Sequence, residues 1–282
     1  MIIDAELHLL HPEALSPAFH PGSAEPVTKA LYEHSDFPAI QDKLTVEALR
    51  ASMRRNGVGA GVIMGMPWRD WGIQRDNNRF VEATARASGG RLKALYIPTL
   101  DDPQQAAREV EGLDGGVYLG VKLIPSWQGR AIDDEALAPL IRVVEARGMF
   151  LMIHTDHPTQ SLDGDTPYRL LRFVTANPAV RVLAPHLGGL LCLYALRPGI
   201  AKALGNVTFV TSVSATMRMV RFAAEVNPAN IVFGSDFPFN HCHDQETVLR
   251  ELRGLALPPE VERMILRDTA ARLLGFEGIE EE

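Results

Sequence analysis

The chain has 282 residues, 46% of them hydrophobic and 22% charged, and a formal net charge of −7. That length and composition suit one large globular domain with a substantial core, and an acidic balance with no Lys/Arg cluster beyond pieces such as Arg54-Arg55 argues against a nucleic-acid partner. No run of about 18 apolar residues is present, the MIIDAE start lacks the basic and apolar regions of a signal peptide, and Cys192 and Cys242 form no C-x-x-C pair; no membrane span and a reducing, cytoplasmic setting are therefore expected.

Eight β-rich apolar runs follow one another: 2–9, 60–66, 93–100, 116–125, 149–155, 181–188, 207–212 and 231–238. Segments with helix-start and helix-stop signals separate them. Thr45 precedes a helical stretch closed by Gly57, Asp101-Asp102-Pro103 opens another, and Asp133-Asp134 opens a third that ends at Gly148. Strand and helix alternating eight times predict a parallel sheet closed into a (β/α)8 TIM barrel, one domain over 1–282. Residues 11–44 form a long first loop and 258–275 a C-terminal helical cap. An open doubly wound sheet is the alternative, but no Gly-rich phosphate loop follows the first strand.

The first run, MIIDAELHLL, carries its polar groups at alternate positions. Regular strand geometry places Ile3, Ala5, Leu7 and Leu9 on one face and Asp4, Glu6 and His8 on the other. Buried charge needs a partner. Barrel active sites form at the C-terminal ends of the strands, where the other runs offer Lys122, His154, His186 and Asp236. Mixed carboxylate and imidazole groups suit Zn²⁺, Mn²⁺ or Fe²⁺, so Glu6, His8, His154 and Asp236 are the expected ligands of one divalent metal ion. His186 is expected to hydrogen-bond a bound water or the substrate, and Asp236 to move a proton as well.

The pieces IDAELH, GVKLIP, FLMIHT, APHLGG and FGSDFP together resemble the amidohydrolase superfamily, in its amidohydrolase-2 branch of aminocarboxymuconate-semialdehyde-decarboxylase-like proteins. The resemblance implies a metal-dependent barrel enzyme with metal at Glu6, His8, His154 and Asp236, and with His186 beside the reacting group. Most of that superfamily carries His-x-His on the first strand; this chain carries Glu6-x-His8. That pair is similar to the one in nonoxidative decarboxylases of aromatic acids, and the added carboxylate favours Mn²⁺ over Zn²⁺ by ligand type. Those decarboxylases are usually longer, and the compact layout is more like short hydrolase-like members. The leading expectation is thus a hydrolase whose metal-activated water attacks a lactone- or amide-type carbonyl of a small carboxylate-bearing substrate. The alternative is a metal-dependent decarboxylase of an aromatic or unsaturated acid.

Lys122 is expected to pair with a substrate carboxylate; a carboxylated, metal-bridging lysine, as in two-metal members, is the alternative. Trp68, Arg69 and Trp127 could clamp a flat acid at the barrel mouth. His157, His241 and Arg218 lie in strand-following segments that could also touch substrate. Cys192 reads as core. The expected partner is a small molecule, and homo-oligomers are common for such barrels.

Overall fold

Each of the eight apolar runs forms a strand: β1 (Ile2–His8), β2 (Val58–Met64), β3 (Leu92–Tyr96), β4 (Tyr118–Leu123), β5 (Phe150–Ile153), β6 (Arg181–Ala184), β7 (Val207–Val210) and β8 (Ile231–Val232). The computed structural model describes residues 1–16, 18–19, 22, 25–34, 36–155, 163–212 and 217–279. All strands are parallel and pair in chain order, β1 to β8. The ring closes where Ala5 N donates to Phe233 O at 2.8 Å and His8 N to Phe237 O at 2.9 Å. This is the (β/α)8 barrel expected from the alternation of elements.

The intervening helices start and stop where short-range chemistry dictates. Thr45 accepts from Ala48 N at the start of helix Val46–Asn56, and Gly57 ends it at φ 68°, a left-handed conformation that glycine adopts without a Cβ clash. Asp102 caps Pro103–Glu111 through Gln104 N and Gln105 N. The helices bury their apolar faces against Leu7, Leu9, Ile63, Val121, Leu123 and Ile153 on the outside of the barrel.

A second cluster fills the barrel: Ile3, Ala5, Val62, Met64, Leu95, Phe150, Met152, Leu183, Val210 and Val232. Ala270, Leu274 and Phe276 join it, so the helical segments from Pro259 to Leu274 close the end of the barrel opposite the strand C-termini. The long loop 11–44 builds a third cluster from Val27, Leu31, Phe37 and Leu44 with Leu10, Met66 and Trp68. It is pinned to the segment after β2 by Glu25, whose carboxylate accepts from Arg69 N at 3.0 Å and Asp70 N at 2.5 Å. Among the described residues, no helix is long and apolar enough to cross a membrane.

One expectation fails inside β1. Ile3 and Ala5 face the barrel interior, whereas Leu7 and Leu9 pack outside under the helices. The pairing register with β2 shifts between Asp4 and Leu7. A bulge thus turns the strand over: Asp4 points out toward helix Gln245–Arg253, and Glu6 and His8 point in. The regular two-residue alternation that grouped Asp4 with Glu6 and His8 does not hold.

Candidate metal centre

Glu6, His8 and Asp236 each present a ligand-type atom, and these atoms all lie within 4.8 Å of one another. β1 delivers the first two from beyond its bulge. Asp236 comes from the turn after β8, at φ 55°, a left-handed conformation that Asp tolerates better than most residues. Gly234 makes room for this approach: a Cβ there would collide with Val210 and stand 3.3 Å from the Glu6 Cβ.

Electrostatics polarise the group. Glu6 and Lys122 form an ion pair at 2.8 Å, each 1% exposed. Burial alone would push the Glu6 carboxyl up; the Lys122 charge, helped by His186 and His8, overcomes it and brings the group down to about 2. Glu6 Oε1 takes the lysine, while Oε2 is buried with no hydrogen-bond partner among the described residues. His8 Nδ1 lies 3.3 Å from Gly65 O; a carbonyl only accepts, so Nδ1 carries the hydrogen and Nε2 a lone pair. That Nε2 faces Asp236 Oδ1 at 3.2 Å. Two carboxylates and one imidazole thus converge their acceptors, and this donor set fits a hard or borderline divalent cation.

His154 is not one of the three converging groups, but it borders them: burial first, then the His186 and Lys122 charges, hold it well below the ordinary histidine range, with Glu6 acting in the opposite sense. It therefore stays neutral, with a lone pair to offer. His154 Nδ1 lies 3.3 Å from His186 Nε2, and His186 Nδ1 lies 2.8 Å from Ser212 O. The carbonyl again fixes the tautomer: His186 donates to Ser212, and its Nε2 accepts from His154 Nδ1. His186 itself sits at φ 56° in the Pro185–Leu190 turn, where Leu187 and Leu190 are also left-handed.

The other sequence-derived candidates divide. Lys122 is wholly inside the barrel on Glu6. Trp68 is fully buried in the first-loop cluster, and Trp127 is partly buried against it. Arg69 pairs with Asp101 at 3.0 Å on the rim, His241 pairs with Glu251 at 3.2 Å, and Arg218 is exposed. His157 lies outside the described residues. Two further residues have a clear place at the site, of which Phe239 escapes sequence reasoning and Asp4 is read from the alternating pattern but not as a ligand. Phe239 sets its ring edge-on to His8, 4.9 Å between centroids, and Asp4 holds the backbone on both sides of the centre. Phe239 follows the FGSDFP run by one residue, which was its only signal.

The fold has close counterparts among solved structures. It matches 5-carboxyvanillate decarboxylase from Sphingomonas paucimobilis with a TM-score of 0.81 at 19% identity, covering 97% of this chain and 98% of that one. It matches 2,6-dihydroxybenzoate decarboxylase from Rhizobium at 0.75 and 17% identity, over 98% and 99%. A dihydroxybenzoic acid decarboxylase from Polaromonas sp. JS666, with bound manganese and 2-nitroresorcinol, matches at 0.77 and 16% identity, over 99% and 98%. No curated protein sequence matches the chain. At these identities the likeness carries the fold alone; the family rests on a sequence model, Amidohydrolase, that matches residues 3–276. With nearly the whole chain inside that match, and carboxylate and imidazole side chains meeting at the mouth of its barrel, the protein belongs to the amidohydrolase family.

Proposed function

We propose that this protein is a metal-dependent nonoxidative decarboxylase of a small aromatic or unsaturated acid. The observation that carries the reading is Glu6. It puts a carboxylate where most of the superfamily has an imidazole, with one oxygen buried and unpartnered beside His8 and Asp236. Manganese in the Polaromonas relative agrees with an oxygen-rich site, and Mn²⁺ is the metal this donor set favours. We assign Glu6, His8, Asp236 and His154 to it. When bound, the metal supplies Lewis-acid polarisation of the substrate carboxylate and its neighbouring oxygen.

The protein's own groups do the rest. Asp236, whose side chain is 15% exposed, reaches the mouth. It delivers a proton to the carbon bearing the carboxylate; the C–C bond then breaks, its electron pair stays with the ring, and CO₂ leaves. Solvent at the mouth returns the proton. Phe239 and Trp127 offer apolar faces for a flat ring, and Arg69 on the rim is placed to attract an anion. The hydrolytic reading uses the same centre, yet the relatives quoted above are all decarboxylases.

The deciding assay is CO₂ release by the Mn²⁺-reconstituted protein from a panel of hydroxybenzoates. Release from at least one member is expected. No release from any, with turnover of lactones or amides, would restore the hydrolase reading. His186 has both ring nitrogens engaged, so it acts through His154. His186→Leu is expected to weaken Mn²⁺ binding about 10–100-fold, read by the electron paramagnetic resonance signal of free Mn²⁺; unchanged affinity would remove His154 from the ligand set.

A further inference from the structure

Asp4 supplies no ligand to the centre, yet it is completely buried and both of its carboxylate oxygens are hydrogen-bonded. Its Oδ1 accepts from Glu6 N at 3.1 Å and from Ser235 N at 2.9 Å. Its Oδ2 accepts from Gln245 Nε2 at 2.9 Å, and Gln245 Oε1 accepts from the Ser52 hydroxyl at 2.6 Å. Asp4, Ser52, Ser235 and Gln245 are each no more than 1% exposed. No cation is among these partners, so the site is not one of charge pairing; a carboxylate kept here for shape has to be fully hydrogen-bonded, and it is.

The two amides on Oδ1 belong to different segments, β1 and the turn after β8. One is the amide of Glu6 itself, just past the point where β1 turns over. The other is the amide of Ser235, one residue before Asp236. One oxygen thus bridges the backbone of both acidic ligands across the β1–β8 seam that closes the barrel. Strand pairing along that seam is sparse: β8 contributes only Ile231–Val232 as regular strand, and the seam is otherwise held by the Ala5–Phe233 and His8–Phe237 bonds. The turn carrying Asp236 is anchored further through Ser235, whose O accepts from Asn240 Nδ2 at 2.9 Å and whose Oγ accepts from Phe237 N at 3.2 Å.

We propose that Asp4 is a positioning residue of the metal centre: its Oδ1 holds the β1 bulge open so that Glu6 turns inward, and fixes the spacing between Glu6 and Asp236. This rests on Glu6 and Asp236 being metal ligands, but not on the reaction catalysed. Substitutions separate the Oδ1 bridge from the outer Gln245–Ser52 support. Asp4→Ala removes both. Asp4→Asn retains Oδ1, and rotation of the Gln245 amide can satisfy the new Nδ2. Gln245→Ala removes only the outer support.

Mn²⁺ dissociation constants of the purified, metal-stripped proteins, read by free-Mn²⁺ resonance below the unfolding temperature of each, test this. Asp4→Ala is expected to bind Mn²⁺ about 10–100-fold more weakly. Asp4→Asn and Gln245→Ala are expected within about threefold of wild type, although Gln245→Ala loses thermal stability. Should Asp4→Ala not fold, Asp4→Ser replaces it: its Oγ is too short to span both amides, and the same loss is expected. Equal Mn²⁺ affinity in Asp4→Ala (or Asp4→Ser) and wild type overturns the proposal, as does an Asp4→Asn variant as weak as Asp4→Ala. Failure of wild type to bind Mn²⁺ would instead remove the metal reading on which it stands.

Discussion

Asp236→Asn is expected to reduce CO₂ release by about a thousandfold or more while leaving the fold intact. The substitution suits this site because it changes chemistry with little change in shape. Asparagine accepts the φ of 55° that Asp236 adopts. The backbone bonds of the turn, from Phe239 N and Asn240 N to the residue-236 carbonyl, do not involve the side chain. What is lost is an anionic oxygen 3.2 Å from His8 Nε2 and a group able to give and retake a proton. A positioned acid–base group alone is worth about 10²–10⁴-fold, and weakened metal binding adds to this. Circular dichroism and thermal unfolding should match wild type, while CO₂ release and metal content fall together. Turnover within tenfold of wild type would show that the proton comes from elsewhere.

How much of this centre was legible in the sequence depends on the range of the physics involved. The eight strands were readable because each is a short apolar run flanked by local stop signals. The groups at their ends were readable because the barrel puts strand C-termini on one face whatever the loops do. The turn in β1 was not readable. It depends on the Asp4 carboxylate capturing the amide two residues on, an interaction that competes with regular pairing and leaves no mark on an alternating pattern. Asp4 therefore looked like a third member of the inward face. The partner of Lys122 was equally hidden: Glu6 lies 116 residues away, and only the closed barrel aims both side chains at its axis. Trp68 and Arg69 were read from adjacency alone. The fold of the first loop decides that one is buried in its cluster and the other lies on the rim.

Lys122→Met is expected to destabilise the metal-free protein by about 3–5 kcal/mol, the cost of leaving one member of a buried ion pair alone, or roughly 10 °C in Tm for a chain of this size. The reason lies in Glu6. In wild type its carboxyl is held at about 2 against an ordinary 4.5, so the ionised group contributes stability above pH 4.5 that is lost as the pH falls toward 2. Without the ammonium, burial dominates and pushes the carboxyl above its ordinary range. The sign of the dependence then inverts: the Glu6 contribution weakens as pH rises through the raised value, and the deficit relative to wild type is larger at pH 8 than at pH 5. Thermal unfolding of both metal-free proteins at the two pH values measures this directly. Adding Mn²⁺ should narrow the gap, because a dication on Glu6 Oε2 supplies the missing countercharge, and Glu6→Gln combined with Lys122→Met should recover much of the loss by removing the stranded charge. A lysine that served only to anchor the substrate carboxylate would give a different pattern, a raised KM with unchanged stability at either pH. The 2.8 Å contact, sealed from solvent on both sides, makes Lys122 part of how the barrel tolerates a carboxylate on its first strand before any substrate arrives.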